Sequence, residues 1–137
     1  MKIAICLSMT FSPEILELGK ELKRLGHEVT LPRFTEEYAT LESRDSMYIE
    51  SAHHKVEHDL IRDYFEIILE QDAILAYNKT KNGIENYIGG NTFLEMGFAH
   101  VLHKDIFLYF SIPNMSYTDE IEAMQPIVID GDLEKIV

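Results

Sequence analysis

The chain has few cysteines, few basic residues and no long apolar run, and each shortage removes a class of function. A single cysteine, Cys6, leaves no disulfide possible within one chain of 137 residues. It lies inside the apolar run Lys2 to Leu7, where a small core residue is expected rather than a redox group. Only 12 Lys and Arg stand against 24 Asp and Glu, for a formal charge of −12. Without a basic stripe, that balance argues against a nucleic-acid polymer as partner. It leaves a single nucleotide open, because backbone N–H groups at one helix N-terminus can hold one phosphate. No stretch is long and apolar enough to span a membrane, and Met1 to Leu7 has no signal-peptide layout. The expectation is a soluble cytoplasmic protein, one domain over residues 1–137.

What is present alternates between two periods. Lys2 to Leu7 reads as a buried strand. Ser12 is placed as N-cap and Pro13 as the first helical residue. Ile15, Leu18, Leu22 and Leu25 give the helical period, and Gly26 stops it. His27 to Leu31 is the second strand. Phe34 to Tyr48 is weakly patterned, either a surface connection or an excursion over a site. A helix runs from about Ser51 to Glu70, with Val56, Leu60, Tyr64, Ile67 and Ile68 on one face. Further strands are expected at Ala73 to Tyr77, Asp105 to Phe110 and Pro126 to Ile129. Helices are expected over Asn91 to His103, Tyr117 to Met124 and Asp132 to Val137. The fold class is α/β, a three-layer sandwich on a five-stranded mostly parallel sheet, Rossmann- or flavodoxin-like.

In such sheets ligands bind beyond the carboxyl ends of the strands. Ser8, Asn78, the run Gly89 to Glu95 and Ser111 should therefore converge on one cleft. Ser8 offers a hydroxyl, or merely forms a turn. Gly89 and Gly90 allow close backbone approach, and Gly97 is expected to let its helix pack closely on the sheet. Asn91 and Thr92 open the helix, with the Glu95 carboxylate expected in its first turn, where the helix dipole favours the ionised form. Thr92-x-x-Glu95 also matches a capping box, in which the carboxylate would only satisfy the Thr92 backbone. An oriented carboxylate is equally what attack on a sugar anomeric carbon needs. Asp59 and Asp63 are candidates to line the cleft, although most charges of their helix belong to its wet face. His54 and His58 have i, i+4 metal spacing but no third ligand, so no metal site is expected.

The run Ile88 to His100 has Asp72 to Asn78 before it and Lys104 to Leu108 after it. Together these resemble the nucleoside 2-deoxyribosyltransferase-like superfamily, which includes deoxyribosyltransferases and deoxynucleoside-monophosphate N-glycosidases. The matching residues are Gly90-Asn91-Thr92-x-x-Glu95-Met96-Gly97-Phe98-Ala99 and His103-Lys104-Asp105. The resemblance implies a five-stranded parallel sheet and Glu95 as nucleophile on C1′. It implies a nucleoside or nucleotide substrate, no cofactor, and a homodimer or higher homo-oligomer. In place of Gly89 the transferases tend to carry an aspartate for the 5′-hydroxyl, and the nucleotide hydrolases a serine for phosphate. Glycine there leaves backbone N–H groups of Gly89 to Asn91, helped by Ser8, to meet a 5′ phosphate, and tilts the expectation toward hydrolysis. A non-catalytic nucleotide-binding module on the same fold is the alternative.

Overall fold

A computed structural model of the chain describes residues 1–8, 11–32 and 59–137; of Ser12 it describes the backbone. The expectations for Phe34 to Tyr48, for His54 and His58, and for the start of the helix placed at Ser51 lie outside the described residues. Strand β1 is Lys2–Cys6, helix α1 is Ser12–Arg24 and strand β2 is Glu28–Thr30. Helix α2 is Leu60–Leu69, strand β3 is Ala73–Ala76 and helix α3 is Gly90–Val101. Strand β4 is Asp105–Leu108, helix α4 is Thr118–Ala123 and strand β5 is Ile127–Val128. A 3₁₀ turn at Leu133–Lys135 follows. The sheet has five strands in the order β2-β1-β3-β4-β5. Each pairing is parallel.

Alternation along β1 divides the core into two layers. Ile3, Ile5 and Leu7 pack with Ile15, Leu18 and Leu22 of α1. Ala4 and Cys6 face the other way, toward Tyr64 and Ile68 of α2, Met96 and Ala99 of α3, and Ile121 of α4. A strand turns successive side chains to opposite faces, so a near-continuous apolar strand needs helices on both sides. The three-layer sandwich follows.

Gly26 ends α1 as expected, at φ +97°. The His27 N–H donates back to the Leu22 carbonyl at 3.1 Å, closing the last turn in the way a left-handed residue allows. The start of α1 differs from expectation. Phe11, not Ser12, holds the N-cap position, and Pro13 lies one residue further in. The Phe11 N–H donates to the Ser8 carbonyl at 3.0 Å, at the entry to the helix. Helix α3 likewise begins at Gly90 rather than Asn91. Strands β1, β3 and β4 end one or two residues short of their apolar runs. The residues beyond them, among them Ser8 and Asn78, belong to the carboxyl edge.

The strand order places a reversal of winding between β1 and β3. The helices change sheet face at that point, and the loops on either side diverge to leave a crevice. Helix α3 connects two parallel strands, so its first turn lies at the same edge.

Candidate active site

Gly89 is the N-cap of α3, with extended φ −75° and ψ 167°. The first helical bond runs from the Phe93 N–H to the Gly89 carbonyl at 2.9 Å. The amides of Gly90, Asn91 and Thr92 precede that bond and have no acceptor within the helix. Thr92 is therefore inside the helix and is not its cap, which removes the capping-box reading. Glu95 falls in the second turn, with no acidic residue in the first. The expectation of a first-turn carboxylate is corrected accordingly: the glycine pair extends the helix backwards past the polar residues.

Glu95 is only 7% exposed, and Thr92, one turn above it on the same buried face, is 3% exposed. The carboxylate accepts a hydrogen bond from the Cys6 thiol at the end of β1. Burial pushes the Cys6 thiol well above its ordinary value, and the charge of Glu95 and the hydrogen bond to it add to the shift. Tyr64 closes the site from α2, its hydroxyl donating to the Ile5 carbonyl. Its ionisation is pushed up by burial first, then by Cys6 and Glu95. Both groups thus stay neutral around the carboxylate. A buried carboxylate with neutral donors beside it, at the reversal point of the sheet, can act as an oriented oxygen nucleophile.

The entry to α3 is pinned from outside. Tyr117 donates its hydroxyl to the Ile88 carbonyl. Phe93 stacks on the Tyr117 ring at 4.5 Å. Gly89 and Gly90 are thereby held in place without side chains of their own. A Cβ added at Gly89 would meet the Tyr87 ring at 3.3 Å and the Tyr87 hydroxyl at 3.6 Å.

The other expected site residues divide into two groups. Ser8 lies at the edge, its hydroxyl accepting from the Lys81 ammonium at 2.8 Å. Asn91 and the half-buried Asp63 lie at the first turns of α3 and α2. Asn78 and Asp59 serve the frame. Asn78 is fully buried. Its amide donates to the carbonyls of Phe110 and Ser111 at 3.1 and 3.0 Å. Its oxygen accepts from the Phe110 N–H at 2.7 Å. The side chain fastens the loop after β4 to the end of β3. Asp59 caps α2 from a left-handed backbone, accepting from the Arg62 N–H at 3.3 Å. It also pairs with the Arg62 guanidinium at 2.8 Å.

Gly97 does not pack on the sheet as expected. Among the described residues, a Cβ built there meets nothing within 4 Å, because this glycine faces away from the buried side of α3. Sequence reasoning also missed four residues. Cys6 and Tyr64 were placed in the core by their apolar neighbours, and Lys81 and Tyr87 fell in a polar loop. A signal for the loop existed: Asn82-Gly83 is a strong tight-turn dipeptide. Among the described residues, no group of three or more His, Cys, Asp and Glu side chains is arranged to hold a metal. No helix among them is long and apolar enough to cross a membrane.

No protein-family model matches the sequence, and no curated protein matches it. Solved structures do match. The CMP N-glycosidase BcmB of Clostridium botulinum superposes with a TM-score of 0.55 at 16% identity, over 99% of this chain and 98% of that one. The 2-desoxiribosyltransferase of Leishmania mexicana gives 0.53 at 18% identity, over 95% and 75%. FerB, a flavoenzyme NAD(P)H:(acceptor) oxidoreductase of Paracoccus denitrificans, gives 0.50 at 10% identity, over 96% and 76%. At such identities the likeness is one of fold, and the flavoenzyme shows how widely that fold is used. In fold, the chain is similar to these solved structures, a CMP N-glycosidase and a 2-desoxiribosyltransferase among them.

Proposed function

We propose that the protein cleaves the N-glycosidic bond of a nucleoside or nucleoside 5′-monophosphate, with Glu95 as nucleophile and water as the favoured acceptor. The observation that carries this reading is the placement of Glu95. It is a buried carboxylate that does not cap its own helix, set at the sheet reversal against the Cys6 thiol. The names of the two glycosyl-processing fold neighbours support it.

A Glu95 carboxylate oxygen attacks C1′. The C1′–N bond breaks and its electron pair leaves with the base, which takes up a proton. A water molecule then attacks C1′ of the glycosyl ester, returning the carboxylate and releasing the sugar with a hydroxyl at C1′. Another base in place of that water would make the reaction a transfer. Ser8, Gly89, Gly90, Asn91 and Thr92 serve the 5′ end of the substrate, and Asp63 the sugar or base. Asn78 and Asp59 act from behind, by fixing the loop after β4 and the start of α2. The working unit is taken to be a homodimer or higher homo-oligomer in the cytoplasm, and the chemistry calls for no cofactor.

The test is release of free base from a panel of nucleosides and 5′-monophosphates, with Glu95→Ala as control. Base release should fall by about 1000-fold or more in the variant. Full activity in Glu95→Ala would falsify the mechanism. No release by the parent protein, with or without an acceptor base, would favour a binding module in which Glu95 is a structural acceptor for Cys6.

A further inference from the structure

We propose that Asn82 is a site of spontaneous deamidation, and that its conversion to isoaspartate opens the tight turn on the way from β3 to α3. The inference does not depend on what Glu95 does. The chemistry needs only water. The Gly83 backbone nitrogen loses its proton and attacks Cγ of Asn82. The bond from Cγ to the side-chain nitrogen breaks, and ammonia leaves behind a five-membered cyclic imide. Water then adds to one of the two imide carbonyls. Cleavage at Cγ gives aspartate. Cleavage at the main-chain carbonyl carbon gives isoaspartate, in which the backbone runs on through Cβ and Cγ.

The attack needs a small following residue, a backbone nitrogen with no other task, and a side-chain amide in water. The chain has five asparagines, at positions 78, 82, 86, 91 and 114, and only Asn82 precedes a glycine. Glycine has no Cβ to hold its nitrogen away from Cγ. Asn78 is buried, and both ends of its side chain are hydrogen-bonded. Asn86 precedes the bulky Tyr87, and Asn91 precedes the β-branched Thr92 inside α3. Asn114 is exposed, but the next N–H, that of Met115, donates to the Thr118 hydroxyl at 2.7 Å.

Asn82 and Gly83 are both exposed. Among the described residues, neither the Asn82 side chain nor the Gly83 N–H has a hydrogen-bond partner. Asp130-Gly131 provides the contrast. Its backbone is nearly the same, with φ of 48° and 76° against 54° and 75° at Asn82-Gly83. There the glycine N–H donates to the Tyr109 carbonyl at 3.0 Å, so the nitrogen is committed. The same kind of turn is locked at Gly131 and open at Gly83.

The turn itself gives the nitrogen room to move. Lys81 and Ile84 exchange backbone bonds of 3.1 and 3.0 Å, a single bridge that no strand extends. So short a hairpin has little stability of its own and opens without unfolding the domain. Two left-handed residues make a type I′ turn, whose loop holds two residues and no more. Isoaspartate puts one further backbone atom between them, so the reciprocal pair cannot reform as before. The segment affected runs on through Asn86, whose N–H donates to the Thr80 hydroxyl at 3.1 Å, to the Gly89 cap of the helix that carries Glu95.

The test ages the intact protein at mildly alkaline pH and body temperature, with tryptic digestion and tandem mass spectrometry at intervals. Asn82 should convert at least about tenfold faster than any other asparagine. Part of the product should be methylated by a protein-isoaspartate methyltransferase. Conversion of Asn82 no faster than that of the exposed Asn114, or conversion without any isoaspartate, overturns the proposal. The isoaspartate form carries an added negative charge, so ion exchange separates it from fresh protein. Its Ile84 amide should exchange hydrogen at least about tenfold faster than in fresh protein. Freshly made Asn82→Asp adds the same charge without the extra backbone atom and should keep the Ile84 protection. Equal protection in the fresh and isoaspartate forms, or the same loss in Asn82→Asp, would overturn the opening of the turn by a lengthened backbone.

Discussion

The thiol of Cys6 donates a hydrogen bond to the carboxylate of Glu95, joining the last residue of β1 to the second turn of α3. Both side chains are buried, so the contact has little competition from water. It makes the only cysteine of the chain a positioning residue for the proposed nucleophile. In Cys6→Ala the carboxylate keeps its burial and loses this donor. A weak donor of this kind is worth about 1 kcal/mol, or roughly a fivefold effect. The expected result is a kcat for base release lowered several-fold with KM nearly unchanged. Cys6→Ser, which restores a donor, should recover part of the loss. A Cys6→Ala enzyme with parental kcat and pH profile would reduce the thiol to packing.

The same thiol and the Tyr64 hydroxyl give the fold an alkaline limit. Burial raises Cys6 well above its ordinary value of 9.0 and Tyr64 well above 10.0. In the unfolded chain both ionise near those ordinary values, so there the folded state binds more protons than the unfolded one. Linkage then makes stability fall as pH rises. The contribution is fully present below about pH 9 and is lost progressively above it, toward the raised folded-state values. Chemical denaturation between pH 7 and 11 should show a midpoint that declines from about pH 9. The decline should be shallower in Cys6→Ala. Identical slopes in the two proteins would mean that the thiol titrates alike in both states.

Asn78 should matter for stability more than for chemistry. Its amide donates to the Phe110 and Ser111 carbonyls, and its oxygen accepts from the Phe110 N–H. Asn78→Asp keeps the shape and reverses the donor end, which sets a buried carboxylate against two carbonyl oxygens. A cost of about 3 kcal/mol is expected, with partial recovery at acid pH where the carboxyl regains a proton. Urea unfolding at pH 5 and pH 7.5 would show it. A variant as stable as the parent at both would mean that the loop after β4 is held by something else.

These residues show how much was legible in the sequence. The layers, the five strands and the sheet edge that carries the candidate site follow from two periodicities and from the glycine at position 26. Each is a local property of the chain. The contacts around Glu95 are not local. Cys6 meets Glu95 only after β1, β3 and α3 have packed, and an apolar run around a cysteine gives no sign of a carboxylate across the layer. Thr92-x-x-Glu95 misled for a related reason. Spacing identifies a capping box only if the helix starts at the threonine, and the two preceding glycines started it earlier. Asn78 was legible as an edge residue and not as a clamp, since its partners belong to the end of a different strand.

Gly97 gives the last prediction, because its surroundings run against the expectation of close packing. It is in the middle of α3, and among the described residues a methyl group added there meets nothing within 4 Å. Glycine inside a helix costs about 0.5–1 kcal/mol relative to alanine, through the backbone freedom lost on folding. Gly97→Ala should therefore raise stability by about that amount in a thermal or urea unfolding experiment. The effect should not depend on protein concentration if this face of α3 is free in solution. A destabilised Gly97→Ala whose unfolding midpoint varies with concentration would instead place a second copy of the chain against Gly97. That result would locate the subunit contact on the outward side of the helix that carries Glu95.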